Sequence, residues 1–211
     1  MSAESGLPPI PDKQQTAALE PFERLPLSGI TLAATAAEVA QAADALAGAQ
    51  VLGFDTESKP TFARGESSEG PHVVQLATAD RAWVFQLHDP PCRAAVARLL
   101  AECPAVKVGF GLGDDLRRIR HKLGVELRAV VDINDLFRQR GYRREMGVKG
   151  AVALVFGRRF LKSGKATTSN WAARELSDSQ LLYAANDAWA ALRVFQALQR
   201  MPSAAPVRSP P

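Results

Sequence analysis

The sequence predicts an α/β domain, a mixed five-stranded sheet flanked by helices, and three observations predict it. Five short apolar runs have strand character, near residues 51–57, 73–77, 83–87, 106–110 and 129–133. The second and third are separated by a short turn near Asp80, as in a hairpin, whereas the later runs alternate with helical stretches. Nine of the fourteen prolines lie in the two ends, which leaves a middle of ordinary globular composition in a chain of 211 residues, 46% hydrophobic and 23% charged.

Taken in order, residues 1–28 hold Pro8, Pro9, Pro11, Pro21 and Pro26 without periodicity. They are expected to form an extended or disordered N-terminal tail, followed by one domain over 29–201 and a C-terminal tail over 202–211. Thr35-Ala36-Ala37-Glu38 has capping-box spacing and opens an alanine-rich helix to about Leu46. The strand Val51-Leu52-Gly53-Phe54-Asp55-Thr56-Glu57 follows, and residues 58–71 read as a loop. Pro90 and Pro91 start a helix that ends by Cys103-Pro104. Gly109, Gly111 and Gly113 allow a tight passage from a strand into a helix over about 113–123. A long helix from about Asp178 to Leu198 closes the domain. No apolar run approaches the roughly 20 residues that span a bilayer, and no signal pattern opens the chain. Cys92 and Cys103 lack metal-ligand spacing, so the expectation is a cytoplasmic protein with reduced thiols.

The chemistry starts at Asp55 and Glu57. Side chains alternate along a strand, so two acids at i, i+2 emerge on one face. On a buried strand end they repel each other and lose hydration, and a hard divalent cation relieves both penalties. A D-x-E pair alone also occurs on solvated strand ends, so partners are needed. Asp114 and Asp115 follow the glycine turn, where, taken alone, either reads first as a helix cap. A dinucleotide fingerprint does not fit, because the third glycine is misplaced and no βαβ unit opens the chain. In the last helix Tyr183 and Asp187 share a face at i, i+4. A phenol ionises only near pH ~10, so positioning a water suits Tyr183 better than removing its proton. Carboxylates converging from three separate elements are the donor set of a two-metal site acting on a phosphodiester.

With those residues in place, the chain resembles the DEDDy 3′–5′ exonuclease family, to which ribonuclease D and the Werner-type exonuclease domain belong. Phe54-Asp55-Thr56-Glu57 is similar to the first family motif, Val108 to Asp115 to the second, and Tyr183-Ala184-Ala185-Asn186-Asp187 to the third. The likeness spans roughly residues 30–200 and takes in Ser169-Asn170-Trp171. It implies a ribonuclease-H-like sheet and two divalent ions, Mg²⁺ or Mn²⁺. Asp55 would bridge both, Asp187 and Glu57 would complete the first, and Asp115 would serve the second. Asp115 is preferred to Asp114 because an ungapped match from Val108 places the family aspartate there. Tyr183 would hold the attacking water. The histidine-bearing branch of the superfamily is disfavoured, since Leu182 stands where its histidine would be.

Residues 138–165 carry nine lysines and arginines against the single acid Glu145, a local charge of +8 in a chain of net +4. A basic region beside an acidic metal centre suits a polyanion gripped on one side and cut on the other. The candidate nucleic-acid contacts are Thr56, Phe62, Lys162, Lys165, Asn170 and Trp171. The expected activity is release of nucleoside 5′-monophosphates from a 3′ end, DNA being preferred on overall likeness. A ribonuclease-D-like or short-oligoribonucleotide activity is the enzymatic alternative, and a non-catalytic binding module the alternative of another class. A lysine or arginine filling the acidic pocket in place of the ions would count against the nuclease reading.

Overall fold

The computed structural model describes residues 8–61, 69–162 and 164–201, without the side chains of Lys165 and Thr167. The apolar runs become strands: β1 (Ile30–Ala33), β2 (Val51–Glu57), β3 (Val73–Ala77), β4 (Ala82–Gln86), β5 (Val106–Gly109) and β6 (Val130–Asp132). They form one sheet in the order β1-β4-β3-β2-β5-β6, in which β3 runs against both neighbours and every other pairing is parallel. The expected mixed sheet is present with six strands rather than five. The extra strand, β1, is four residues long at an edge and follows the proline-rich stretch, so its pattern was too short to read.

The helices are α1 (Lys13–Ala18), α2 (Ala36–Leu46), α3 (Pro90–Glu102), α4 (Gly113–Leu123), α5 (Ile133–Gln139), α6 (Val148–Phe156), α7 (Gly164–Thr167) and α8 (Asp178–Arg200). Thr35 closes a capping box with Glu38 ahead of α2, as its spacing predicts, and Asp89 caps α3 where prolines occupy the first turn. The passage into α4 uses Gly111 at a φ of +65°. Gly109 meets a different constraint, for a Cβ there would lie 2.5 Å from Phe54 O. None of the helices among the described residues is long and apolar enough to cross a membrane. Cys92 and Cys103 are buried free thiols.

Alternation along β2 divides the core between the two faces of the sheet. Leu52 and Phe54 join Leu76, Phe85 and residues of α2, α3 and α4 on one side. Gly53, Asp55 and Glu57 face the other side, which α8 covers. α8 is 23 residues long and opens with a capping box between Ser177 and Gln180. Its buried Ala184, Ala185, Ala188 and Ala191 let it lie close to the strands. Closest approach falls at Gly53, where a Cβ would stand 2.0 Å from Ala188 O.

The expected N-terminal tail departs from expectation over its described part, because distant residues anchor it. α1 is an exposed single turn and a half, but the chain after it is pinned to the domain. Phe22 N donates to Arg159 O, and Arg159 N donates to Glu20 O. The ring of Phe22 packs against Phe156 and Trp189, and Leu25 is buried.

Gly53→Ala tests the contact between β2 and α8. A glycine-to-alanine change gains about 0.4–1 kcal/mol through the unfolded chain. Here it drives a methyl into backbone, and overpacking of this kind costs about 1–3 kcal/mol. Denaturant melts are expected to show net destabilisation, with a stability equal to wild type refuting the close contact.

Candidate active site

Four acids meet where β2 ends. Asp55 and Glu57 come from the α8 face of the strand and Asp187 from α8 itself, and one oxygen of each lies within 4.8 Å of the others. Asp187 is only 5% exposed, and the other two are half-buried. Thr56, between the strand acids, points the opposite way, and its hydroxyl donates to Asp115 in the first turn of α4. The charge of Asp115 bears on both Asp55 and Glu57. Asp114 is turned to solvent and pairs with Arg117. Of the two adjacent aspartates, Asp115 is the one beside the cluster.

Burial is the leading reason that the pKa of each of these acids is raised. Burial, then the charges of Asp187, Glu57 and Asp115, hold Asp55 well above the usual carboxylate range. Burial and the Asp187 charge push Glu57 up to about 8. Asp187 is pushed up to about 6 by burial, although Lys162 and Lys149 pull it down. Asp115 is also raised by burial, against its Thr56 hydrogen bond and the charge of Arg118.

A cation already stands among them. Lys162 Nζ lies 2.6 Å from Asp187 Oδ2 and 4.9 Å from the centre of the Tyr183 ring, with the Tyr183 side chain as a second hydrogen-bonding partner. Burial works to lower the Lys162 pKa, but the Asp187 charge and these bonds outweigh it and hold the ammonium above the ordinary lysine value. A lysine here is the arrangement that counts against a metal site, so the balance of charge decides. One ammonium faces four acids and engages one oxygen of one of them. Asp187 Oδ1 is buried with no hydrogen-bond partner, and Gln75, directly across from Asp55 on β3, is buried with both amide atoms unbonded. An unsatisfied buried acceptor costs about 1–3 kcal/mol. Lys162 therefore leaves the pocket short of positive charge. An oxygen-only donor set with an unbonded carboxylate oxygen fits a hard divalent cation held by Asp55, Glu57 and Asp187.

The remaining candidates divide. Tyr183 is buried one helical turn before Asp187, beside the Lys162 ammonium. Trp171 is 1% exposed and packs on Tyr183 with ring centroids 5.8 Å apart, so it is a core residue rather than a nucleic-acid contact. Thr56 is likewise corrected, since its hydroxyl is engaged by Asp115 rather than open to a strand. Asn170 is exposed, its side-chain oxygen accepting from Ala172 N. Phe62 lies outside the described residues, as does the side chain of Lys165. Part of the basic segment serves the fold: Arg138 pairs with Asp135 and Glu145, and Arg140 donates to the Leu136 and Leu198 carbonyls. Lys149, one of the nine basic residues of that run, reaches Asp187 with its charge, and Arg24, outside every motif, lines the cavity beside Asp187.

A family model described as 3′–5′ exonuclease matches residues 30–202. The chain is 28% identical over 159 residues to a 3′–5′ exonuclease of Arabidopsis thaliana, covering 74% of this chain and 55% of that protein. It is 28% identical over 165 residues to the bifunctional 3′–5′ exonuclease/ATP-dependent helicase WRN of Mus musculus, covering 77% of this chain but 12% of that one. The chain thus spans about half or less of the length of these relatives. Among solved structures, Trypanosoma brucei RNase D in complex with RNA U12 superposes with a TM-score of 0.71 at 21% identity, over 82% of this chain and 63% of that one. That likeness places the fold among the ribonuclease-H-like exonuclease domains.

Two outcomes follow from the charges. In the unfolded chain Glu57 gives up its proton near 4.5, but in the metal-free fold only near about 8. Between those values the folded chain holds the extra proton, so this stabilisation is complete below pH 4.5 and is lost as pH passes about 8. Melting of the metal-free protein is expected at progressively lower temperature from pH 5 to 8.5, with Mn²⁺ restoring it; a profile rising with pH would contradict the buried cluster. Lys162→Met should bind Mn²⁺ at least about tenfold more tightly, since a unit charge at ~4 Å opposes a divalent cation by about 2 kcal/mol even at the dielectric constant of water. Calorimetry without nucleic acid measures this, and unchanged affinity would remove Lys162 from the metal pocket.

Proposed function

The chain belongs to the 3′–5′ exonuclease family, and from that premise we propose that it hydrolyses a nucleic-acid strand from its 3′ end to nucleoside 5′-monophosphates with two divalent ions, Mg²⁺ or Mn²⁺. The meeting of Asp55, Glu57 and Asp187 within 4.8 Å carries the reading. These three would hold one cation, and Asp55 with Asp115 would hold the other. Divalent ions there would supply charge neutralisation at the phosphate and a water of lowered pKa.

The chain's own groups supply the rest. Glu57, which holds its proton up to about 8 in the metal-free fold, would ionise on taking up a cation, and Asp187, already paired with Lys162, would exchange that lysine for one. The Tyr183 hydroxyl orients the attacking water, since it lies one turn from Asp187 on a rigid helix. Lys162, freed from Asp187, meets the phosphate of the incoming strand, and Lys149 adds positive charge behind it. Thr56 holds Asp115 in place from within the strand. Asn170 and Lys165 are further contacts to the strand.

The acids read phosphate and carry little information about the sugar. DNA remains the preferred substrate on likeness to the Werner-type domain. A ribonuclease reading draws support from the fold shared with an RNase D that was solved with RNA. The buried thiols of Cys92 and Cys103 agree with a cytoplasmic setting.

Oligonucleotides labelled at either end, as matched DNA and RNA, single-stranded or recessed, decide the matter. Stepwise shortening from the 3′ end with Mg²⁺ or Mn²⁺, and none with EDTA, is the expected result. Asp55→Ala is expected to abolish shortening while nucleic-acid binding persists. Binding without cleavage by the wild type would favour a non-catalytic module.

A further inference from the structure

The segment 20–25 precedes residue 30, where the family match begins, yet it forms a wall of the cavity beside the acids. Its backbone is held firmly. Beyond the paired bonds with Arg159, both backbone groups of Leu25 are clamped by one amide: Leu25 N donates to Asn186 Oδ1 at 2.8 Å, and Asn186 Nδ2 donates to Leu25 O at 3.2 Å. Asn186 is buried and immediately precedes Asp187, so the residue that fixes the segment adjoins an acid of the site. A cavity of about 110 Å³ is lined by Phe22 and Arg24 of the segment together with Lys162, Tyr183, Asn186 and Asp187. Arg24 is exposed, and no carboxylate pairs with it among the described residues.

Two divalent ions would only balance the charge of four carboxylates, so the grip on a polyanionic strand falls to cations flanking the pocket. Lys162 serves the position nearest Asp187. An arginine on a pinned backbone, without an acid to neutralise it, presents a planar fork suited to phosphate oxygens. We propose that Arg24 grips the backbone phosphate adjoining the scissile one, so that the segment 20–25 is part of the substrate site. The proposal rests on the nuclease reading of that site.

The test uses the full chain carrying Arg24→Ala, Arg24→Glu or Arg24→Lys. Cleavage of a labelled single-stranded oligonucleotide is followed with Mn²⁺, and binding of the same strand is measured in EDTA across a salt series. Arg24→Ala is expected to weaken binding about tenfold and to lower the slope of log affinity against log salt by about 1. In cleavage the loss falls in KM rather than kcat. Arg24→Glu binds still more weakly, and Arg24→Lys retains most of the slope. All three melt with the wild type, because the side chain is exposed. Unchanged affinity and slope in the alanine and glutamate variants overturn the proposal while the wild type still cleaves. Lowered melting with equal losses in the alanine and lysine variants also overturns it, by making Arg24 part of the fold. A wild type that cleaves no oligonucleotide refutes the nuclease reading itself.

Discussion

Like charges pressed together inside the fold set the terms for the rest of this structure. Asp55 and Glu57 are locked two residues apart on β2, and Asp187 is driven against them because α8 rests on Gly53 with no Cβ between. Away from water, ionised carboxylates at this spacing are unfavourable unless protons, a lysine or metal ions compensate them. The metal-free fold uses the first two, with Glu57 holding its proton up to about 8 and Lys162 engaging Asp187. Neither satisfies Asp187 Oδ1. The clustering of acids that fits a hard cation is thus a consequence of how closely a helix can lie on a strand.

The neighbours of the cluster each act on it through a definite contact. Thr56 holds Asp115 from within the strand, which turns the residue between two acids into the support of a third. Asn186 ties the N-terminal segment to the helix position just before Asp187. Trp171 backs the Tyr183 ring and so fixes it from behind. The basic residues divide by geometry rather than by their place in a run. Arg138 and Arg140 meet local acids and carbonyls, whereas Lys162 and Lys149 act on Asp187.

Much of this was legible beforehand. The phase of Asp55 and Glu57, the Thr35 capping box, the start of α4 at Gly113 and the i, i+4 spacing of Tyr183 and Asp187 all stand in the structure. These depend on periods of two and 3.6 residues and on caps three residues apart, which are local properties of a chain. The readings of Trp171 and Thr56 as strand contacts did not hold, and β1 and the anchored segment 20–25 went unread.

By itself, the sequence determined which acids exist and which face of its own strand or helix each one occupies. Only the tertiary structure decided that Thr56 holds Asp115 beside them, that Lys162 pairs with Asp187, and that Leu25 is held at Asn186. The physical reason is separation along the chain. Thr56 and Asp115 are 59 residues apart, and Leu25 and Asn186 are 161 apart, so no local pattern encodes either contact.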